Sequence, residues 1–341
     1  MTEHSAAANG PEAKAPPVVL AADRKTPRWR KVLPLLGLLV LIWLLSRLDL
    51  GEMAGALGRV TASTLVLSSG AFTINTLIKA LRWHRMLIAQ GIALPPKVTL
   101  AAFMSGQFYG QVTLGRVGEL FRVEALIERG VSTGTALASS ILDRLLDLFF
   151  VLAAGAVAGA FVLGNAQVAA LALVLMVLGG CGAWAVIATV GSPAPSPRVA
   201  SIFGSFAARP FLDRIGKLVR ELASGMYPMT RPGPLLESLL WTLIAWAFYL
   251  SALFFLAEGL HVLVSKIVLT AAAAFAALSA LLPVTISGLG AREMIYIAAL
   301  KQHGVAEEPA AVLSLLHLFI MTLSATVFGF GGVLWRSRQK A

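Results

Sequence analysis

Apolar residues run through this chain in long unbroken blocks separated by short basic or glycine-rich links. A membrane-crossing helix needs about 20 largely apolar residues. Runs of that kind centre on 32–50, 60–81, 134–163, 166–190, 235–257 and 309–334, which predicts six full spans. Two further apolar regions, 98–130 and 262–302, are each interrupted by a polar, glycine-containing stretch. The first interruption lies in QVTLGRVGELFR (111–122) and the second in VTISGLGAREMIY (284–296). Both contain Val-Thr, and both pass two closely spaced glycines on the way to a glutamate with a nearby arginine.

The loop charges predict how these segments are threaded. Cytoplasmic loops carry an excess of Lys and Arg. The stretch RKTPRWRK (24–31), the segment 82–97, the long connection 191–234 and the tail RSRQK (336–340) are all basic, whereas the link around 164–167 has no basic residue. A single crossing by 98–130 would put 191–234 on the wrong side. A dip into the membrane and back satisfies every loop, and the same holds for 262–302. The expectation is therefore an all-α polytopic bundle of about six full spans plus two re-entrant helical hairpins. It reads as an inverted 3+3 repeat, with pseudo-repeats roughly 32–163 and 166–335.

Non-helical backbone at membrane depth is tolerated where it is buried in protein or lines a polar cavity. Gly115, Gly118, Gly288 and Gly290 are read as the hairpin turns, and Pro283 as a helix breaker that lacks an N–H. The domain organisation that follows is a tail over 1–31, one transmembrane domain over 32–335 with an amphipathic linker at 191–234, and a second tail over 336–341. The linker contains FLDRIGKLVREL (211–222), which mixes apolar and basic residues in the manner of a helix lying on an anionic leaflet. The run 32–46, after five basic residues, reads as a retained signal anchor. Both termini are expected in the cytoplasm.

Composition agrees. Of 341 residues, 57% are hydrophobic and only 13% charged, with mean hydropathy +0.80. Soluble domains carry about 25% charged residues. The net charge of +11 sits between apolar runs, which fits membrane loops rather than nucleic acid. One cysteine, Cys181, excludes an internal disulfide, and five scattered histidines make no metal cluster. No Walker loop, HExxH or Ser/His/Asp grouping is present, so no cofactor, metal or enzymatic activity is expected.

Charged residues within apolar runs cost about 2.5–3.5 kcal/mol or more at mid-span and mark sites or pathways. Arg116, Glu119 and Arg122 form one such group, with Glu119 and Arg122 spaced to pair on a helix face. Arg292 and Glu293 form a second. Asp143, Arg144 and Asp147 lie in LDRLLDLF (142–149) and form a third, for which interhelical ion pairing is an equal alternative. Asn75 and Lys79 end the second span, and Arg82, His84 and Arg85 read as a solvated edge. His261, His303 and His317 read as structural or interfacial. Arginine near a glycine turn suits phosphate recognition.

In their order and spacing, GRVGELFR (115–122), LDRLLDLF (142–149) and PVTISGLGAREMIY (283–296) resemble the transmembrane-region family of lysylphosphatidylglycerol synthases. Ser287 stands where a glycine is commoner in that pattern, and Arg292 precedes Glu293. The resemblance covers roughly 30–335 and implies a flippase-like protein of the cell inner membrane. Such a protein moves a phospholipid, glycolipid or lipid-linked intermediate between leaflets. In that reading Arg116 and Arg292 hold a headgroup phosphate, Glu119 and Glu293 take a cation or proton, and Asp143, Arg144 and Asp147 line the route. Some relatives carry a C-terminal aminoacyl-transferase domain, which is not expected here, as the chain stops at Ala341. The expected partners are membrane lipids and lipid or glycan biosynthetic enzymes. The alternatives are a non-transporting scaffold for such enzymes and an intramembrane lipid-modifying enzyme using Asp143 and Asp147.

Overall fold

A computed structural model describes residues 38–113, 116–199, 201, 210–281 and 285–340. Two of the expected turn residues, Gly115 and Pro283, lie outside the described residues, as do the tail over 1–31 and the start of the 32–50 run. Every regular element among the described residues is helical. In chain order they are α1 (38–45), α2 (Leu50–Gly58), α3 (Ala62–Ala89), α4 (Pro96–Val112) and a 3₁₀ turn (Val117–Leu120). Next come α5 (Phe121–Ile127), α6 (Thr133–Leu163), α7 (Ala166–Val190) and α8 (Pro210–Met226). A second 3₁₀ turn (Tyr227–Thr230) then leads to α9 (Pro232–Gly259), α10 (Lys266–Ser279), α11 (Ala291–Lys301) and α12 (Glu307–Lys340). Five of them, α3, α6, α7, α9 and α12, are long and apolar enough to cross a membrane.

Local chemistry sets where these helices begin. Asp49 accepts from the N–H groups of Gly51 at 2.7 Å and Glu52 at 3.1 Å. Thr61, Ser132, Asn165 and Ser265 each accept from the backbone N–H three residues on, which satisfies one orphan donor at the starts of α3, α6, α7 and α10. Gly164 ends α6 in the left-handed region at φ 62°.

The two interrupted regions fold back on themselves. The close approaches of Gly106 to Arg122, Gly110 to Glu119 and Gly118 to Tyr109 lay the 3₁₀ turn and α5 antiparallel on α4. A Cβ at Gly118 would collide with the Tyr109 carbonyl, so no larger residue fits this hairpin. At the second tip, Ser287, Gly288 and Gly290 take φ 52°, 82° and 84°, a conformation that glycine adopts without steric cost. With 11 residues at 1.5 Å each, α11 is about 16 Å long, too short for a hydrocarbon layer of about 30 Å.

The chain from α3 to α6 corresponds to the chain from α9 to α12. Both sets start with a 28-residue helix. Gly130 and Gly304, both in the left-handed region, are separated by the same interval of sequence as Glu119 and Glu293, Ser140 and Ser314, and Gly155 and Gly329. The leading helices α3 and α9 lie side by side and antiparallel. Arg85 near the end of α3 meets Glu237 near the start of α9, while Gly259 at the end of α9 packs on Thr64 at the start of α3. The hairpins then cross over: α4 packs on α12, and α10 packs on α6. Small residues make both crossings close. Gly155 and Gly159 of α6 lie against Ala274 and Phe275 of α10, and Gly329 and Gly332 of α12 lie against Phe108 and Ala101 of α4. Dispersion between closely approached backbones is what holds helices together in an apolar solvent.

Outside this centre, α7 has no buried residue and is apolar all round. Together with exposed side chains such as Val66, Phe161, Leu171, Leu178 and Phe319, it forms an apolar outer surface far beyond what a water-facing protein shows. The amphipathic α8 packs on α6 and α7 and leaves Phe211, Ile215, Leu218 and Val219 exposed beside Arg214 and Lys217.

Candidate functional site

A cavity of about 260 Å³ lies where the two hairpins meet α3, α6, α9 and α12. Its wall has two characters. Apolar side chains from Phe72, Ile141, Leu145, Leu148, Val151 and Trp246 line it together with Asn75, Lys79, Gln107, Arg116, Arg144 and Arg292. Of the predicted site residues, Arg116, Arg144, Asp147 and Arg292 line this cavity directly.

Behind it Glu119, Asp143 and Arg122 sit in two ionic layers that Asp147 joins from the wall. Glu119, 4% exposed, lies 3.4 Å from Nε of Arg116 and contacts the Arg144 guanidinium. Deeper, Asp143 accepts from Arg82 Nη2 at 2.6 Å, Arg82 Nε at 3.1 Å and Arg122 Nη1 at 2.8 Å. Asp147 accepts from Arg82 Nη1 at 2.9 Å and Lys79 Nζ at 3.0 Å. Arg122 completes its shell with Ser140 and lies 4.9 Å from the Trp83 ring centroid. Every carboxylate here meets two cations, the arrangement that offsets the cost of burying charge.

Two pairings differ from the sequence expectation. Arg122 bonds Asp143 and not Glu119, because the 3₁₀ turn between them rotates the two side chains onto different neighbours. Arg82, expected at a solvated edge with His84 and Arg85, is fully buried and also donates to Thr242 Oγ1 at 2.7 Å. Facing α6 and α9, it finds carboxylates rather than solvent. Arg85 keeps the expected character: it is exposed and paired with Glu237 at 2.6 Å.

The second hairpin is built differently. Arg292 is 2% exposed and donates from Nη2 to His317 Nδ1 at 2.8 Å. Among the described residues no carboxylate lies within ion-pair distance of it, and its Nε has no hydrogen-bond partner. Glu293 turns away from the cavity. Its Oε2 accepts from the Gly290 N–H at 2.6 Å and its Oε1 from Ser314 at 3.0 Å, so it caps the start of α11. At the first tip Arg116 takes the left-handed conformation at φ 58°, uncommon for a non-glycine residue. Gly118 donates to Thr113 Oγ1 at 2.7 Å, while Gly288 and Gly290 shape the second tip.

A model of the lysylphosphatidylglycerol synthase TM region matches residues 32–329, most of the chain and all of the residues that line the cavity. The chain belongs to this family. It is a multi-pass membrane protein of the lysylphosphatidylglycerol synthase TM region type. Comparison with curated proteins gives no match.

Several residues of this family member's site carry weaker sequence signals. Gln107 and Gln111 are four apart within the apolar run of α4, a spacing that marks one polar helix face. Trp246 and Tyr249, three apart on α9, are hidden in a uniformly apolar run. His317 gives no local signal at all, since its partner Arg292 is 25 residues away. Among the described residues, no group of three or more His, Cys, Asp or Glu side chains is placed to hold a metal ion.

Proposed function

We propose that the protein is a transporter that moves an anionic lipid between the leaflets of the cell inner membrane without nucleotide hydrolysis. The observation that carries this reading is the cavity itself, whose lining combines apolar side chains with four cations, Lys79, Arg116, Arg144 and Arg292, and one carboxylate, Asp147. An amphipathic ligand fits a wall of two characters, and guanidinium groups recognise phosphate oxygens. Asn75 Oδ1, Gln107 Oε1 and the Nε atoms of Arg116 and Arg292 are buried without hydrogen-bond partners, so the cavity offers hydrogen bonds that the protein does not use itself.

The folding-back of both hairpins, and their shortness, support a re-entrant reading in which the tips meet near the midplane. The antiparallel placement of α3 and α9 supports an inverted-topology repeat, in which alternating access comes from rocking one half against the other. Basic loops place both termini in the cytoplasm in this reading. Glu119, Asp143 and Asp147 then hold the cationic wall in position, and the amphipathic α8 rests on the anionic cytoplasmic leaflet.

The test is leaflet exchange in liposomes that contain the purified protein and a short-chain fluorescent anionic phospholipid. Exchange well above protein-free liposomes is expected, with at least a tenfold loss in Arg116→Gln and Arg292→Gln. Exchange at the background rate would leave a scaffold for lipid or glycan biosynthetic enzymes. A chemically altered lipid, seen by mass spectrometry of the same liposomes, would point to an enzyme.

A further inference from the structure

The central cluster does not balance its own charge. Among the described residues, six cationic side chains converge on it: Lys79, Arg82, Arg116, Arg122, Arg144 and Arg292. Three carboxylates face them, Glu119, Asp143 and Asp147, while Glu293 on the second hairpin turns toward Gly290 and Ser314. Even with Glu293 counted, the cationic side chains outnumber the carboxylates by two.

The structure also shows where the excess lies. Arg82, Arg122 and Lys79 share two carboxylates, Asp143 and Asp147, through short bonds. Arg116 and Arg144 share a single carboxylate, Glu119, and Arg292 has none. These three guanidiniums line the same cavity. A buried cation without a counter-charge is costly, and a bound anion relieves it.

We infer that the cavity is built for a phosphate group carrying two negative charges: a phosphomonoester or a diphosphate, in preference to a phosphodiester. A phosphomonoester carries about −1.5 to −2 at neutral pH. A diester, with one charge, leaves one guanidinium uncompensated. A headgroup amine fits poorly, because Asp147 is the carboxylate on the wall and already accepts from Lys79 and Arg82. The chemistry is shared by a lipid headgroup and a soluble phosphate; its assignment to a lipid rests on the transport reading above.

The experiment measures binding to the full chain in detergent by thermal stabilisation and by ligand titration. The probes are dioctanoyl phosphatidic acid, dioctanoyl phosphatidylglycerol and glycerol 3-phosphate, all at pH 8. Phosphatidic acid is expected to bind at least tenfold more tightly than phosphatidylglycerol. Arg292→Gln, which removes one excess charge, should bring the two lipids to within about threefold of each other, and Arg292→Lys should keep the preference. Arg116→Gln, at a partly exposed side chain, should shift the preference the same way and covers the case in which Arg292→Gln does not fold. Equal affinity for the two lipids in the unmodified protein overturns the dianion inference and leaves anionic-lipid transport standing. Glycerol 3-phosphate binding as tightly as phosphatidic acid keeps the dianion site but removes the lipid. Binding of none of the three overturns both.

Discussion

The Ser287 hydroxyl lies 2.7 Å from Oε1 of Gln111 and 3.0 Å from the Gln111 carbonyl oxygen, joining two hairpin tips 176 positions apart. Both residues are buried. This clasp is a direct polar contact between the end of α4 and the second tip, and it sits on the cavity wall through Ser287.

Removing the clasp should cost stability in a way that separates two causes. Ser287→Ala deletes the donor and leaves the buried Gln111 oxygens short of a partner, a loss of about 1–3 kcal/mol. Ser287→Gly deletes the same donor but relieves the left-handed backbone at φ 52°. The glycine variant should therefore melt at a higher temperature in detergent than the alanine variant. The opposite order would mean that the backbone at 287 is unstrained.

Arg82 and Arg85 are neighbours in sequence with opposite surroundings. Arg82→Gln leaves Asp143 and Asp147 each short of a cation in the interior, and breaking a buried pair from one side costs about 3–5 kcal/mol. Arg85→Gln removes an exposed pair with Glu237, worth about 0–1 kcal/mol. Membrane accumulation and melting temperature should fall sharply for the first and hardly at all for the second. Comparable losses would contradict the burial assigned to Arg82.

The misplacement of Arg82 by sequence reasoning has a physical cause. RWHR (82–85) is a basic cluster at the end of an apolar run, the usual mark of a loop, and a local pattern cannot register carboxylates 61 and 65 positions away. The spans are legible because length and apolar content are local quantities. The hairpins are legible because glycine and charge are costly inside an apolar run unless the backbone turns there beside polar groups. The unequal roles of the two halves are not legible. Where α6 carries Asp143 and Asp147, the corresponding positions of α12 carry His317 and Met321, and only the packed structure reveals that Arg292 is thereby left without a carboxylate.

The threading of the chain can be read by single-cysteine labelling in a Cys181→Ala background. In the re-entrant arrangement, Asn165→Cys and His303→Cys react with an impermeant thiol reagent on intact spheroplasts. Arg129→Cys and Arg214→Cys react only after permeabilisation. All four positions are exposed, so failure to react from outside reports sidedness and not burial. Labelling of Arg129→Cys from outside would mean that the first hairpin crosses the membrane completely.

Glu119 and Glu293 occupy corresponding places in the two halves, and the sequence alone gives them one role. Their contacts separate them. Glu119 is shared by Arg116 and Arg144 on the cavity wall, whereas Glu293 bonds Gly290 and Ser314 and touches neither. Glu119→Gln keeps the shape but frees one more positive charge beside the cavity. It should tighten binding of an anionic lipid severalfold and slow its release, lowering the exchange rate. Glu293→Gln retains one acceptor oxygen for the Gly290 N–H. It should lower the melting temperature by the equivalent of about 1 kcal/mol, typical of a weakened helix cap, with affinity unchanged. The two residues share no partner, so in the double variant the melting losses should add. Titrations of both single variants and the double with a short-chain anionic lipid, together with their melting curves, decide the matter. Equal changes in affinity from the two single substitutions would return Glu293 to the binding site and remove the distinction drawn from its contacts.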